Sequence, residues 1–547
     1  MGAKSLNRQI RPGVLGLIVS LVLALVVTAS SAAAHRPHQG PGFDPAGATI
    51  VELAAALDDG SLTAVGLLGF YLDRIEAYDD QGPTVNAVTQ LAKTAAKEAR
   101  ASDKRRRKGE SLGPLDGIPI LVKENIDVKG LASTAGSVAL LRNYPSEDAL
   151  VISRLREAGA VILGKTNMSE LAASYGRLGY SSAGGLTLNP VELTRNASGS
   201  SSGSAAAVAA DFAPVALGTD TSGSVRGPAS SVGAVGLRGT LDAAPLDGIL
   251  PYSLNLDIVG PIARSAEDAA LVFSVMTGDP VPDLDGYDVD GMRIGVIWQY
   301  SAANAEVATT LTGSAALLES MGATAVPVTV SSDLEYAWTP IVGPYSGYDL
   351  AHDIDEYLET RNRWTPDTSQ ELVDILTSEW ALSLPNPPNQ ARIAGLQHSI
   401  DMQGDYGSAE YLALGSDVRP GLQAEVLDLM AFEDLDVLLF PTMECPASPV
   451  DYQPDPTWIC DSPFGDEYAP SYISPAVGFP EVTVPAAIDS EGLPIGMSIL
   501  APAGEEGLVL AVGEALQEAA DAVAETPELP PLVADSGTGR GKGSGRR

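Results

Sequence analysis

The sequence predicts an α/β fold in which a sheet is covered by helices on both faces, and two observations carry that expectation. From Leu115 onward, short apolar runs without strict alternation (118–126, 160–163, 214–217) alternate with segments of helical spacing. Strands of that texture are buried on both faces. The same texture returns at 437–440, 482–484 and 497–500, where no independent partner strands are available, so these late strands are expected to close one large domain. At 547 residues and 45% hydrophobic composition the chain is long and apolar enough for such a core.

Taken in order, the chain opens with Lys4, Arg8 and Arg11 ahead of the apolar run Val14 to Val27, followed by the small residues Ala32, Ala33 and Ala34. This is the pattern of an export signal cleaved near Ala34, giving a secreted protein with no stable membrane insertion after cleavage. The run is shorter than the roughly 20 apolar residues a membrane span needs. Residues 35–48 read as a Pro/Gly linker. Residues 49–77 show helical spacing broken by Asp59-Gly60, and 91–101 read as a further helix. The run Lys104 to Lys108 reads as a solvated basic loop. Helices are expected at 149–158 and 204–210. Residues 281–431 are more polar and aromatic and are expected to decorate the sheet and shape the substrate site, within a domain spanning 49–530. The Gly-rich basic tail at 537–547 is expected to be disordered.

Charge and composition exclude several classes. The chain carries 70 acidic against 33 basic residues, a net charge of −37, and loss of residues 1–34 makes it more negative still. Such a field repels nucleic acid and anionic lipid. Its four histidines show no H-E-x-x-H spacing, and neither a phosphate loop nor a Gly-x-Gly-x-x-Gly fingerprint is present, so no metal and no cofactor are expected. Cys445 and Cys460 are too few for a zinc site; in an exported chain they are expected to pair as a disulfide.

The chemistry is concentrated in two Ser/Gly clusters. The first runs Ser198-Gly199-Ser200-Ser201-Ser202-Gly203-Ser204, the second from Gly218 through Asp220, Thr221, Ser222, Gly223 and Ser224 to Arg226. One such run alone reads as a flexible loop. Two of them flanking a short helix and an apolar strand are expected to be held rigidly, with glycines that let backbone N–H groups converge on an anion. A serine hydroxyl needs a base to become a nucleophile. With histidine scarce, a lysine of lowered pKa is the natural alternative, and Lys123 ends the apolar run Ile118 to Val122. On its own, a lysine beside Glu124 and Asp127 reads as a surface ion pair.

These clusters resemble the core motif of the amidase signature family, as do the blocks at 113–127, 164–171, 260–268, 436–442 and 492–499. The resemblance implies one large mixed sheet with helices on both faces and an amidase that cleaves linear amide C–N bonds rather than an endoprotease. It implies Ser224 as nucleophile, Ser200 as proton bridge and Lys123 as base, with backbone N–H groups of Thr221, Ser222, Gly223 and Ser224 as oxyanion donors. Asp220 and Arg226 fall on positions that support the loop. Three residues depart from the motif: Ser198, Ser202 and Ser222 stand where it has glycine. The form of the first cluster, together with the export signal, is most similar to secreted peptide amidases, whose substrates are C-terminal peptide amides. Specificity is expected in the less matched residues 281–431 and around Cys445 to Tyr468, with Trp338, Tyr345 and Tyr348 as pocket or core.

Three rival readings stand beside this one. Gly199-Ser200-Ser201-Ser202-Gly203 also fits the nucleophile elbow of α/β-hydrolases, which would make Ser201 the nucleophile of an esterase and His352 or His398 its base. A secreted binding protein on a dead amidase scaffold would have lost Lys123, Ser200 or Ser224, and all three are present. A glutaminase component feeding ammonia to a partner enzyme fits poorly with export.

Overall fold

Thirteen strands account for the β-structure of the described residues: β1 Val88–Leu91, β2 Pro119–Lys123, β3 Val161–Thr166, β4 Tyr180–Ser181, β5 Gly185–Leu186, β6 Val215–Asp220, β7 Val235–Arg238, β8 Ile258–Ala263, β9 Arg293–Ile297, β10 Thr324–Val328, β11 Val437–Pro441, β12 Glu481–Ile488 and β13 Pro494–Leu500. The computed structural model describes residues 43–520 apart from 174–176 and 454. The expected export signal (1–34), most of the linker and the tail (537–547) therefore lie outside the described residues.

Eleven of these strands form one mixed sheet in the order β1-β3-β2-β6-β8-β7-β12-β13-β11-β9-β10, and β4 and β5 form a small separate hairpin. The trio β3-β2-β6 is parallel, as is β11-β9-β10, and the strands between them are antiparallel. Every residue of β2, β3, β6, β8 and β13 is buried, as their unalternating apolar runs require when helices cover both faces. Among the covering helices, Ser202–Ala209 packs on β6, Arg226–Val232 on β7 and β13, and Glu506–Ala520 on β12. The small side chains of the first of these helices (sequence SGSAAAVA) allow that close approach.

The expected helical stretch at 49–77 divides at Gly60 into Ile50–Asp59 and Ala64–Ile75, each capped by a threonine side chain (Thr49 and Thr63). Two expectations need correction. Leu91 ends a strand rather than opening a helix, because β1 pairs with β3 through Leu91 and Gly164; the helix begins at Ala95. Lys104, Arg105 and Arg106 are the last turn of that helix, and Arg105 and Arg106 pair with Asp116 and Asp58, so only the end of the basic run is a loop.

Residues 281–431 also do more than decorate. They supply β9 and β10, which complete one edge of the sheet, before a set of helices that includes Gly343–Glu359, Gln390–Met402 and Arg419–Glu433. Those helices carry apolar clusters of their own, one around Tyr345, Phe440 and Tyr472 and one around Leu350, Ile354 and Leu396. No helix among the described residues is long and apolar enough to cross a membrane.

Candidate active site

Parallel pairing of β2 with β6, in register through Val122 and Leu217, brings Lys123 and Thr219 to the same sheet edge. Lys123 is fully buried. Its Nζ lies 2.8 Å from Ser200 Oγ, 2.8 Å from Ser201 Oγ, 2.8 Å from Thr219 Oγ1 and 3.1 Å from the Thr219 carbonyl. Burial pulls its pKa down to about 7, against the opposing pull of Asp220 and Asp257. Neither Glu124 nor Asp127 pairs with it: Glu124 accepts hydrogen bonds from Thr89 and Gln90, and Asp127 pairs with Arg361.

The hydroxyl partners of Lys123 differ in what else they do. Ser201 donates to the Thr219 carbonyl at 3.2 Å, and Thr219 Oγ1 accepts from Asn125 Nδ2 at 3.1 Å. Ser200 Oγ has Lys123 as its side-chain partner. Its proton is thus free to turn toward the lone pair of a neutral amine. The Gly199–Ser200 peptide bond is cis.

The second cluster is shaped by charge. Asp220, at the end of β6, accepts the N–H groups of Gly223 at 2.8 Å and Val225 at 3.0 Å, folding the loop back on its own strand. Arg226 Nε reaches the same carboxylate at 3.0 Å and its Nη1 reaches Glu481 at 2.6 Å; Arg238 Nη1 lies 3.2 Å from Asp220. All four charged side chains are fully buried, two positive against two negative. Burial alone would push the Asp220 carboxyl up, but the two guanidiniums hold it well below the usual carboxylate range. Antiparallel neighbours explain the meeting, since Glu481 of β12 is in register with Arg238 of β7.

A cavity of about 440 Å³ opens over this loop. Ser224, Ser222, Thr221 and Gly199 line one side, Tyr252, Trp338, Tyr468 and Tyr472 form aromatic walls, and Asp466 and Glu467 add two carboxylates. Gly223 does not line it, and its N–H is taken by Asp220, so the expected oxyanion donors reduce to those of Thr221, Ser222 and Ser224. Of the three serines standing for motif glycines, Ser198 alone has positive φ, at 58°. Ser202 begins a helix, and Ser222 keeps an ordinary backbone. Gly223 is required: its φ is 108°, and a Cβ there would stand 2.7 Å from Ser471 Cβ.

The elbow reading fails on this geometry. Ser201 is buried at 0% exposure and does not line the cavity. His352 stacks on Tyr406, His398 lines a different groove beside Trp338 and Met402, and neither lines the cavity. Trp338 does line it, whereas Tyr345 is buried in the core and Tyr348 packs against Tyr411. Cys445 and Cys460 are joined as a disulfide at a Cα separation of 5.7 Å, just ahead of the cavity residues Gly465 to Tyr468. Among the described residues no group of His, Cys, Asp and Glu could hold a metal ion. The contributions of Arg238, Glu481, Thr219, Asp257 and Tyr468 do not follow from the sequence pattern. A charged residue opening or closing an apolar strand run, as Glu481 and Arg238 do, is the signal that marks two of them.

This fold and site are those of an amide-bond hydrolase, and comparison with known proteins agrees. The family model described as Amidase matches residues 67–510, and the chain belongs to that family. A glutamyl-tRNA(Gln) amidotransferase subunit from Streptomyces coelicolor is 34% identical over 493 residues, covering 86% of this chain and 95% of the relative. Its counterpart in Acinetobacter baumannii is 33% identical over 490 residues, covering 86% of this chain and 96% of its own length. Among solved structures, the native peptide amidase from Stenotrophomonas maltophilia superposes with a TM-score of 0.78 at 32% identity, covering 87% of this chain and 97% of that one. An amidase family protein from Bacillus anthracis gives 0.73 at 27% identity, with coverage of 86% and 91%.

Proposed function

We propose that this chain is an exported amidase that removes the terminal amide of peptides through a Ser224–Ser200–Lys123 relay and a covalent acyl-enzyme. The observation that carries the reading is the fully buried Lys123, hydrogen-bonded to Ser200, behind a cavity that Ser224 lines. Neutral Lys123 accepts the Ser200 proton while Ser200 takes that of Ser224, whose Oγ attacks the amide carbonyl carbon. Backbone N–H groups of the Thr221–Ser224 loop stabilise the developing oxyanion, an effect worth about 3–4 kcal/mol per donor in comparable sites. The protonated lysine then returns its proton through Ser200 to the leaving nitrogen as the C–N bond breaks. Water attacks the ester carbonyl, its proton following the same path, and the carboxylic acid leaves as Ser224 is restored.

Two features support the peptide-amide and export parts of the reading. The cavity of about 440 Å³ has aromatic walls, and a structural relative of TM-score 0.78 is a peptide amidase. The export pattern at residues 1–34 accompanies the Cys445–Cys460 disulfide, which suits an oxidising compartment. Mass spectrometry of the protein before and after a fluorophosphonate serine probe tests the relay: labelling at Ser224 that weakens in Lys123→Ala is the expected result, and labelling at Ser201 would overturn it. Turnover of peptide carboxamides over free glutamine separates this reading from that of an ammonia supplier to a partner enzyme. N-terminal sequencing of culture-medium protein, expected to begin near His35, tests export.

A further inference from the structure

Tyr468 lies 270 residues from Ser198 in sequence, yet its hydroxyl is spent entirely on the first Ser/Gly cluster. The phenol donates to the Gly199 carbonyl at 2.9 Å and accepts the Gly199 N–H at 3.0 Å. With its one proton given to Gly199, it meets Ser198 Oγ as an acceptor, so the serine hydroxyl donates. Its ring lies on the second cluster: a Cβ on Gly223 would stand 3.0 Å from Tyr468 Cδ1, and one on Gly227 would stand 2.6 Å from Cε1. One side chain thus holds the residue next to Ser200 while packing against the loop that ends at Ser224. The Ser198 position is bound up with it. In the motif this residue is glycine; here a serine at φ 58°, its N–H held by Asn196 Oδ1 at 2.7 Å, supplies the third contact to the phenol.

We infer that the Tyr468 hydroxyl is a positioning group for Ser200, fixing the Gly199 peptide so that the Ser200 hydroxyl meets Lys123. The inference rests on the relay proposed above. Tyr468 contributes no proton to the chemistry. Its effect runs through the placement of Ser200, and Ser198 is its partner rather than a second actor. The loop bearing Tyr468 is tied back by the hydrogen bond from Glu444 N–H to the Glu467 carbonyl, one residue from Cys445 and one from Tyr468.

The test compares the full chain as wild type, Tyr468→Phe, Ser200→Ala and the double variant, reading the fluorophosphonate labelling rate at Ser224 together with kcat and KM on one peptide amide. Tyr468→Phe is expected to slow labelling and kcat by about 10²-fold, the scale of a 1 Å misplacement, with KM held within about twofold. In the Ser200→Ala background the same substitution is expected to add nothing, because its route is already cut. Wild-type rates in Tyr468→Phe, a loss confined to KM, or full additivity with Ser200→Ala would each overturn the inference. Should Tyr468→Phe unfold below the assay temperature, Ser198→Ala keeps the phenol and removes one contact; it is expected to slow labelling several-fold at unchanged Tm, and wild-type labelling there overturns the role. Absent wild-type labelling, or undiminished labelling in Ser200→Ala, refutes the relay itself and the Tyr468 role with it. Dependence on Ser200 with Tyr468→Phe at the wild-type rate refutes only the latter.

Discussion

Thr219 meets Lys123 twice, through its carbonyl at 3.1 Å and its Oγ1 at 2.8 Å, one residue before the carboxylate that folds the Ser224 loop. Four oxygens around the Lys123 nitrogen favour the ammonium, while burial at 0% exposure favours the neutral amine. Burial wins, leaving the group near pH 7. In the proposed relay the base is the neutral form, present above that value and lost below it. The rate kcat/KM on an uncharged amide is therefore expected to rise with pH through about 7 on a single ascending limb. A pH–rate profile that falls above neutrality would contradict the assignment.

Replacing the base gives a sharper result. Lys123→Ala is expected to lower kcat by about 10²–10⁴-fold, the usual range for a positioned base. Lys123→Arg is not expected to restore it, since a guanidinium stays protonated at every working pH. Ser224→Ala is expected to abolish turnover, whereas Ser201→Ala, which removes one contact to Lys123 and its own bond to Thr219, is expected to retain part of it. Steady-state rates of the four variants check this series.

Backbone conformation separates the two motif positions ahead of the nucleophile. Gly223→Ala places a Cβ 2.7 Å from Ser471 Cβ at a φ of 108°, and activity is expected to fall at least tenfold, with a lower Tm. Ser222→Gly, at a residue that needs no left-handed backbone, is expected to keep kcat within several-fold of wild type. Paired thermal melts and rate measurements distinguish them.

Asp220→Asn removes one charge from a buried set of four and leaves Arg238 without its carboxylate. Breaking a buried ion pair from one side costs about 3–5 kcal/mol. A clear fall in Tm is expected, with loss of Ser224 labelling even below the melting range, because an amide has one acceptor oxygen and can hold only one of the Gly223 and Val225 N–H groups that the carboxylate holds together. Denaturation midpoints with and without the substitution measure it.

Charge in the cavity predicts selectivity. Asp466 receives Tyr472 OH at 2.7 Å, Tyr336 OH at 3.3 Å and the Tyr468 N–H at 3.0 Å, all neutral donors, and it lines the cavity with Glu467. Peptide amides carrying Lys or Arg near the scissile bond are expected to show KM roughly tenfold below their Glu counterparts, the gap narrowing with salt. A panel of dipeptide amides at two ionic strengths checks it.

What is legible in the sequence is the part with local grammar. Gly203, where a Cβ would stand 2.5 Å from Asn167 backbone atoms, and Gly223 remain glycine because nothing else fits, and such residues are what a motif preserves. Lys123 is readable for a similar reason, as a charge ending a fully apolar strand. Tyr468 is not, since its partner lies 269 residues away and it belongs to no pattern, and Glu481 shows only as a charge opening an apolar strand, with nothing local to name its partner 255 residues off. β9 does not stand out although IGVI has the same unalternating texture as the other strands, because its polar, aromatic surroundings set the tone of the region. Leu91 reads as helical because a helical spacing downstream extends back over a strand that only pairing with Gly164 defines.

The bond between Arg226 and Glu481 has a consequence for the order in which the protein becomes an enzyme. By residue 226 a growing chain already holds Lys123 and both serine clusters, but the second carboxylate on Arg226 belongs to β12, the penultimate strand in chain order, 255 residues on. Until that strand is in place, Arg226 has the Asp220 carboxylate but not that of Glu481. A fragment that stops short of residue 481 is therefore expected to carry the whole motif without its reactivity, and the chain to become an enzyme only late in its synthesis.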